Sequence, residues 1–190
     1  MHSMRIGSSV VECVVGDITN QPDIDAVVNA ANAELRPGGG VAGAIHRAAG
    51  PGLYEECRTL APIRPGEAVT TGGYKLPNRY VIHCLGPVYG VDLPSDALLA
   101  NCYRNAMRLA NERGIQSIAF PAISAGVFGY PMESAARVAV CTVLEELKLR
   151  TTVRQVRFVL FGAAARTIYE GLLTQSVTPP TDERFRARPP

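Results

Sequence analysis

The chain has 190 residues, of which 47% are hydrophobic and 19% charged, and its formal net charge is +2. That length suits one domain with a full core, and the composition is ordinary for a globular protein. The charge is too small to create the field that binding to nucleic acid or a membrane surface requires, so neither partner is expected.

Residues 4–15 alternate and then run apolar, predicting one or two strands that end at Gly16-Asp17. Thr19 to Pro22 reads as a turn or a short helical turn, and residues 25–29, centred on Ala26-Val27-Val28, as a buried strand. Short helices are predicted over 41–49 and 51–58, followed by a stiff connector, Ala61 to Gly66. Residues 67–74 and 79–85 are β-like, separated by Leu76-Pro77-Asn78. Ser95 is placed to cap a long amphipathic helix that runs to Arg113 and stops at Gly114. A short apolar strand over 117–121 leads into a glycine loop, 124–129, and a helix over 132–149 with Pro131 near its first turn. Residues 156–161 read as the last strand and 163–173 as the last helix. The domain is therefore expected to occupy residues 1–175. Residues 176–190, with four prolines, alternating charge and no periodicity, read as a disordered tail.

Strands that alternate with helices imply a mostly parallel sheet covered on both faces, with a ligand at its carboxyl edge. The most informative stretch is Asn29 to Gly50, NAANAELRPGGGVAGAIHRAAG, which runs from strand through three glycines into a helix. That order presents bare backbone N–H groups at the sheet edge, where phosphates bind. No Gly-Lys-Ser/Thr follows, so it is not a P-loop, and the glycine spacing is not the dinucleotide fingerprint. Asn29 and Asn32 precede the glycines, and a neutral amide, which donates and accepts at once, suits a sugar diol beside a phosphate. A loop whose asparagines only turn the backbone fits the same spacing. The second glycine loop, Ser124 to Gly129, makes a pair of amide-rich loops, better matched to a diphosphate than to a single phosphate.

Five cysteines, Cys13, Cys57, Cys84, Cys102 and Cys141, are scattered and odd in number, and read as buried free thiols in a reducing cytoplasm. No Cys/His spacing suggests a metal site, and none is expected. The start, MHSMRIG, lacks the apolar core of a signal peptide, and no apolar run is long enough to span a bilayer. A cytoplasmic protein is expected.

Five pieces in order resemble the macrodomain family, the ADP-ribose-recognising α/β module, over roughly residues 5–174. They are Gly16-Asp17-Ile18-Thr19, Asn29-Ala30-Ala31-Asn32, Gly38-Gly39-Gly40-Val41, Tyr80-Val81-Ile82-His83 with Gly86-Pro87, and the run from Phe120 to Gly129. The resemblance implies a three-layer αβα fold with a mixed, mostly parallel central sheet. It implies that Asp17 accepts from the adenine amine, that the backbone of Ile18 reads the ring, and that Phe161 packs on its face. A turn-forming role for Asp17 and a core role for Phe161 are the competing readings. Family members often carry an acidic or amide residue after this aromatic, where Gly162 stands here. Gly38, Gly39, Gly40 and Val41, with Ser124, Ala125, Gly126, Val127 and Phe128, would wrap the diphosphate and distal ribose. Asn32 would bind the distal ribose, with Asn29 behind or beside it; these two are the candidate catalytic residues. His83 is expected to be a satisfied buried side chain and His46 to make a structural hydrogen bond, neither acting as a base.

The segment from Gly38 to Pro51 is most similar to the MacroD-type hydrolases, with one departure. Those enzymes commonly carry an aspartate directly after the glycine-valine run to orient the attacking water, and Ala42 stands there in this chain. The same pattern is also similar to viral and archaeal macrodomains, in some of which the ligand's own phosphate is thought to help activate the water. The implied activity is hydrolysis of the bond between the distal ribose of ADP-ribose and a carboxylate or acetyl group, without a cofactor. The implied substrates are O-acetyl-ADP-ribose or a mono-ADP-ribosylated protein, acted on by a monomer. The alternative is a non-catalytic ADP-ribose reader. An ordinary nucleotide-dependent α/β enzyme and an RNA-binding domain fit less well, given the missing P-loop and near-neutral charge.

Overall fold

A computed structural model describes residues 2–177. Its centre is a seven-stranded sheet in the order β1-β2-β7-β6-β3-β5-β4. The strands are β1 (His2–Ile6), β2 (Ser9–Val15), β3 (Ala26–Ala30), β4 (Ala68–Gly72), β5 (Tyr80–Cys84), β6 (Ser117–Phe120) and β7 (Gln155–Leu160). The five central strands run parallel, and β1 and β4 pair antiparallel at the two edges. Five helices connect them: α1 (Gly40–Ala49), α2 (Pro51–Leu60), α3 (Ser95–Glu112), α4 (Met132–Lys148) and α5 (Ala163–Val177). None is long and apolar enough to cross a membrane.

The alternation of side chains along each strand divides the core into two. Ala26 and Val28 of β3, Ile118 and Phe120 of β6, and Val156, Phe158 and Leu160 of β7 pack under α3, α4 and α5. Their neighbours Val27, Ala119 and Val159 point the other way, against Ile45, Ala49, Leu53 and Cys57 of α1 and α2. The result is the expected three-layer αβα arrangement with a mixed, mostly parallel sheet. On the first face, Tyr103, Phe120, Phe158 and Tyr169 form a run of tilted rings with centroids 4.9 to 6.1 Å apart.

Several boundaries differ from the sequence expectation for local reasons. Of the one or two strands expected at the start there are two, because Gly7, at φ +58°, turns the chain between them. Ser95 does not cap α3: it is the first helical residue, and its hydroxyl donates back to the Asp92 carbonyl at 2.6 Å. Helix α5 continues past Leu173 to Val177, so the first two residues of the expected tail are helical, and 178–190 lie outside the described residues. Four cysteines are buried as expected, whereas Cys141 is exposed on α4; all five are free thiols.

Candidate ligand site at the carboxyl edge of the sheet

Four neighbouring parallel strands, β2, β7, β6 and β3, end at the same edge, and each leads into a loop singled out by the sequence. From β2 come Gly16, Asp17 and Ile18. From β7 come Phe161 and Gly162. The loop from Pro121 to Pro131 follows β6, and the loop from Ala31 to Gly39 follows β3. Strands lie about 4.8 Å apart, so these four loop origins span about 14 Å of edge.

At the β2 end, the Gly16 N–H donates to the Leu160 carbonyl at 3.1 Å, tying the Asp17 turn beside Phe161. Asp17 is exposed; its Oδ1 accepts from the Thr19 N–H at 2.8 Å and from Thr19 Oγ1 at 2.7 Å. The turn-forming role is thus real and occupies one carboxylate oxygen, and Oδ2 has no partner among the described residues. Ile18 turns its side chain into the core under α1 and α2, which leaves its backbone at the edge. Phe161 is fully exposed, so the core reading for this residue does not hold.

In the loop after β6, Gly129 N–H donates to Gly126 O and Tyr130 N–H to Ser124 O, at 2.9 and 3.0 Å. These bonds close the loop on itself. The N–H groups of Gly126, Val127 and Phe128 find no protein partner among the described residues, and three successive unpaired amides make an anion-binding concavity. Ser124 sits at φ +63°, a left-handed conformation that costs a non-glycine residue roughly 1–2 kcal/mol. It is held there by close packing: a Cβ on Gly86 would collide with Ser124 Oγ. Ser124 Oγ is buried and has no partner among the described residues. Val127 is exposed, while Phe128 packs partly into the second core.

The loop after β3 is anchored at its middle by Leu35, fully buried with φ +53°. Asn32 clamps it: its Oδ1 accepts from the Arg36 N–H at 2.9 Å, and its Nδ2 donates to the Arg36 carbonyl at 2.8 Å. A Cβ on Gly38 would lie 3.5 Å from Asn32 Nδ2, so the amide sits directly beside the first glycine. Helix α1 then starts with no side-chain cap on Gly39, leaving the Gly40, Val41 and Ala42 amides bare. The Ala42 methyl is buried and offers no acceptor. The sequence reading missed Gly43, where a Cβ would run into the Gly38 carbonyl, so the glycine loop lies directly on the first turn of α1.

Of the two placements expected for Asn29, behind Asn32 or beside it, the structure has the first. Asn29 is 1% exposed, beneath the loop, and its Nδ2 donates to His83 Nδ1 at 3.1 Å. That leaves the ring proton on His83 Nε2, which donates to Thr71 Oγ1 at 2.9 Å. Burial, with His46 nearby, pushes His83 down to about 3, so it stays neutral. His46 is also buried and also lowered by burial, but its Nε2 makes no hydrogen bond among the described residues, contrary to expectation. Its ring stands 6.3 Å from Tyr54 and 6.4 Å from His83. Among the described residues, no group of three or more His, Cys, Asp or Glu side chains could hold a metal ion.

The site is therefore a row of loops rich in unpaired N–H groups, with an exposed aromatic and a carboxylate at one end and an amide clamp at the other. The Macro domain family profile matches residues 28–139. A macro domain-containing protein of Streptomyces griseus is 49% identical over 172 residues, covering 87% of this chain and 96% of its own. A protein of Enterobacter cloacae named O-acetyl-ADP-ribose deacetylase is 46% identical over 170 residues, covering 87% and 94%. Among solved structures, the Oceanobacillus iheyensis macrodomain with ADP superposes with a TM-score of 0.88 at 39% identity, covering 93% of this chain and 96% of the other. The Trypanosoma brucei macrodomain in complex with ADP-ribose gives 0.79 at 40% identity, covering 85% and 68%. The chain belongs to the macrodomain family.

Proposed function

We propose that this protein binds ADP-ribose along the carboxyl edge and hydrolyses the bond between its distal ribose and a carboxylate or acetyl group. The observation that carries the reading is the order of the loops. Sheet order β2-β7-β6-β3 sets an adenine-sized aromatic and acceptor pair, then amides for a diphosphate, then an asparagine and glycines for a sugar. That is the order of the parts of one ADP-ribose molecule. In this reading Asp17 Oδ2 accepts from the adenine amine, the Ile18 backbone reads the ring, and Phe161 stacks on it. Stacking of this kind contributes roughly 1–3 kcal/mol. The amides of Gly126, Val127 and Phe128 face those of Gly40 and Val41 across the diphosphate, with Ser124 and Ala125 completing the wall. Each charge-assisted amide–phosphate bond adds about 1.5–3 kcal/mol.

For hydrolysis, water adds to the anomeric carbon as the carboxylate departs with the bonding electrons. Ala42 supplies no base, so the water proton passes to a phosphate oxygen of the ligand. Asn32 and the two glycine loops hold the reacting atoms in place, and this orientation supplies most of the acceleration. Asn29, engaged by His83, keeps Asn32 and the strand end in register and does not touch the ligand. The deacetylase relatives support a hydrolase. Two observations favour the second reading, a non-catalytic reader: the missing acceptor at Ala42 and the Asn32 amide already bonded to Arg36.

A protein labelled with mono-ADP-ribose on glutamate, and separately O-acetyl-ADP-ribose, decides between them when incubated with the purified protein and with Ala42→Asp. Release by the unmodified protein is expected. Binding of ADP-ribose without release, restored by Ala42→Asp, would make the protein a reader for want of one carboxylate.

A further inference from the structure

Helices α1 and α2 cover only part of one sheet face, and over β2 and β7 a polar network, buried except at Asp23, stands in for a helix. Arg157 of β7, 8% exposed, is its centre. Its Nε donates to Glu12 Oε1 at 2.7 Å, and its two terminal nitrogens donate to Asp23 at 2.9 and 2.7 Å. Its Nη1 also donates to Gln21 Oε1 at 2.8 Å. Gln21, 6% exposed, then donates through Nε2 to the backbone carbonyl of Asp17 at 2.7 Å. Asn78 fixes the Gln21 backbone from the other side, donating to its carbonyl and to that of Ile24, both at 2.7 Å.

The two carboxylates, Glu12 and Asp23, already satisfy the charge of Arg157, so Gln21 is not needed to neutralise it. What Gln21 alone supplies is a rigid link from the buried guanidinium to the turn that carries Asp17. We infer that Gln21, oriented by Arg157, is a positioning residue for base recognition, setting where the Asp17 carboxylate meets the purine 6-position. The inference rests on the ADP-ribose reading above. A carboxylate discriminates an amine from a carbonyl only if its free oxygen is held on the line of the N–H bond, because hydrogen bonds weaken steeply with angle. Thr19 sets the rotation of the Asp17 side chain; the Gly16 N–H bond to Leu160 and the Asn20 N–H bond to the Asp17 carbonyl shape the turn, and Gln21 ties that carbonyl to the buried guanidinium.

The test is calorimetric titration with ADP-ribose and with inosine diphosphate ribose, which has a carbonyl in place of the adenine amine and an N–H in place of the acceptor at the adjacent ring nitrogen. The unmodified protein should prefer ADP-ribose by at least about tenfold. Gln21→Met, equal in length but apolar, should cut that preference to about twofold or less. Gln21→Glu keeps an acceptor toward Arg157 but loses the donor to Asp17, and should lower the preference likewise; it decides the matter if the methionine variant does not fold. A lower melting temperature with an unaltered base preference would overturn the inference and leave Gln21 a structural residue only. No base preference in the unmodified protein would overturn it too. No binding of either ligand would instead bring down the ADP-ribose reading itself.

Discussion

Both halves of the Asn32 amide are engaged by the Arg36 backbone, at 2.8 and 2.9 Å, and each retains capacity for one further bond. The residue is therefore a clamp first and a ligand contact second, and its removal has a mixed signature. Asn32→Ala should loosen the loop and misplace the distal ribose, lowering kcat by about 100-fold and affinity by less than about tenfold. Steady-state kinetics with O-acetyl-ADP-ribose separates the two, and equal losses would argue for a reader. Asp17 shows the same doubling of roles, with one oxygen for Thr19 and one free. The residue types at Asp17, Asn32 and Phe161 were legible in the sequence because their chemistry is. Which oxygen is free, and that Phe161 is exposed rather than core, depends on packing that no local spacing encodes. Whether Asn29 stands behind Asn32 or beside it was left open for that reason: its partner His83 is 54 residues away, on a different strand.

At the level of the elements, the site is the meeting of strand ends with loops whose shape is fixed by contacts beneath them. The strand-glycine-helix order was readable because period and punctuation change together at Gly38 to Val41. The close approach of Gly43 to Gly38 was not, since a glycine inside a helix gives no signal of what lies against it. Gly43→Ala should push the glycine loop off α1. Overpacking of this kind costs roughly 1–3 kcal/mol, and the melting temperature should fall accordingly. ADP-ribose affinity should drop at least about tenfold, because the bare amides of Gly40 and Val41 move with the loop. A lower melting temperature with unchanged affinity would mean the loop is not a phosphate wall. The polar network around Arg157 was likewise invisible in the sequence, where Glu12, Gln21, Asp23 and Arg157 read as ordinary strand and turn residues.

The molecule as a whole has a sheet whose topology does the functional work by lining up four loops, and a core that depends on a neutral histidine. The fold was legible at this scale because alternating strands and helices leave few arrangements open. The sheet order was not, since parallel strands far apart in sequence pair through crossovers. Folding takes His83 from an ordinary value of 6.5 to about 3 by burial, with His46 adding to the shift. The unfolded chain therefore binds more protons than the folded one as pH falls from about 6.5 to 3. The stabilisation is fully present above 6.5 and is lost as pH falls through that window, by up to about 1.4 kcal/mol per pH unit. His46 is shifted in the same direction. Denaturant unfolding between pH 7 and 4 should show this slope, and His83→Gln should flatten it even if it is less stable throughout. An equal slope in the variant would place the acid sensitivity elsewhere.

The most direct test of the account is to follow the backbone amides by nuclear magnetic resonance during titration with ADP-ribose. Saturable shifts with one site should concentrate at Ile18, Gly40, Val41, Gly126, Val127, Phe128 and Gly162, along the carboxyl ends of β2, β7, β6 and β3. Gly7 and Gly114, at the opposite ends of the strands and helices, should stay still. Shifts confined to one loop, or centred away from that edge, would contradict a single ligand laid across all four.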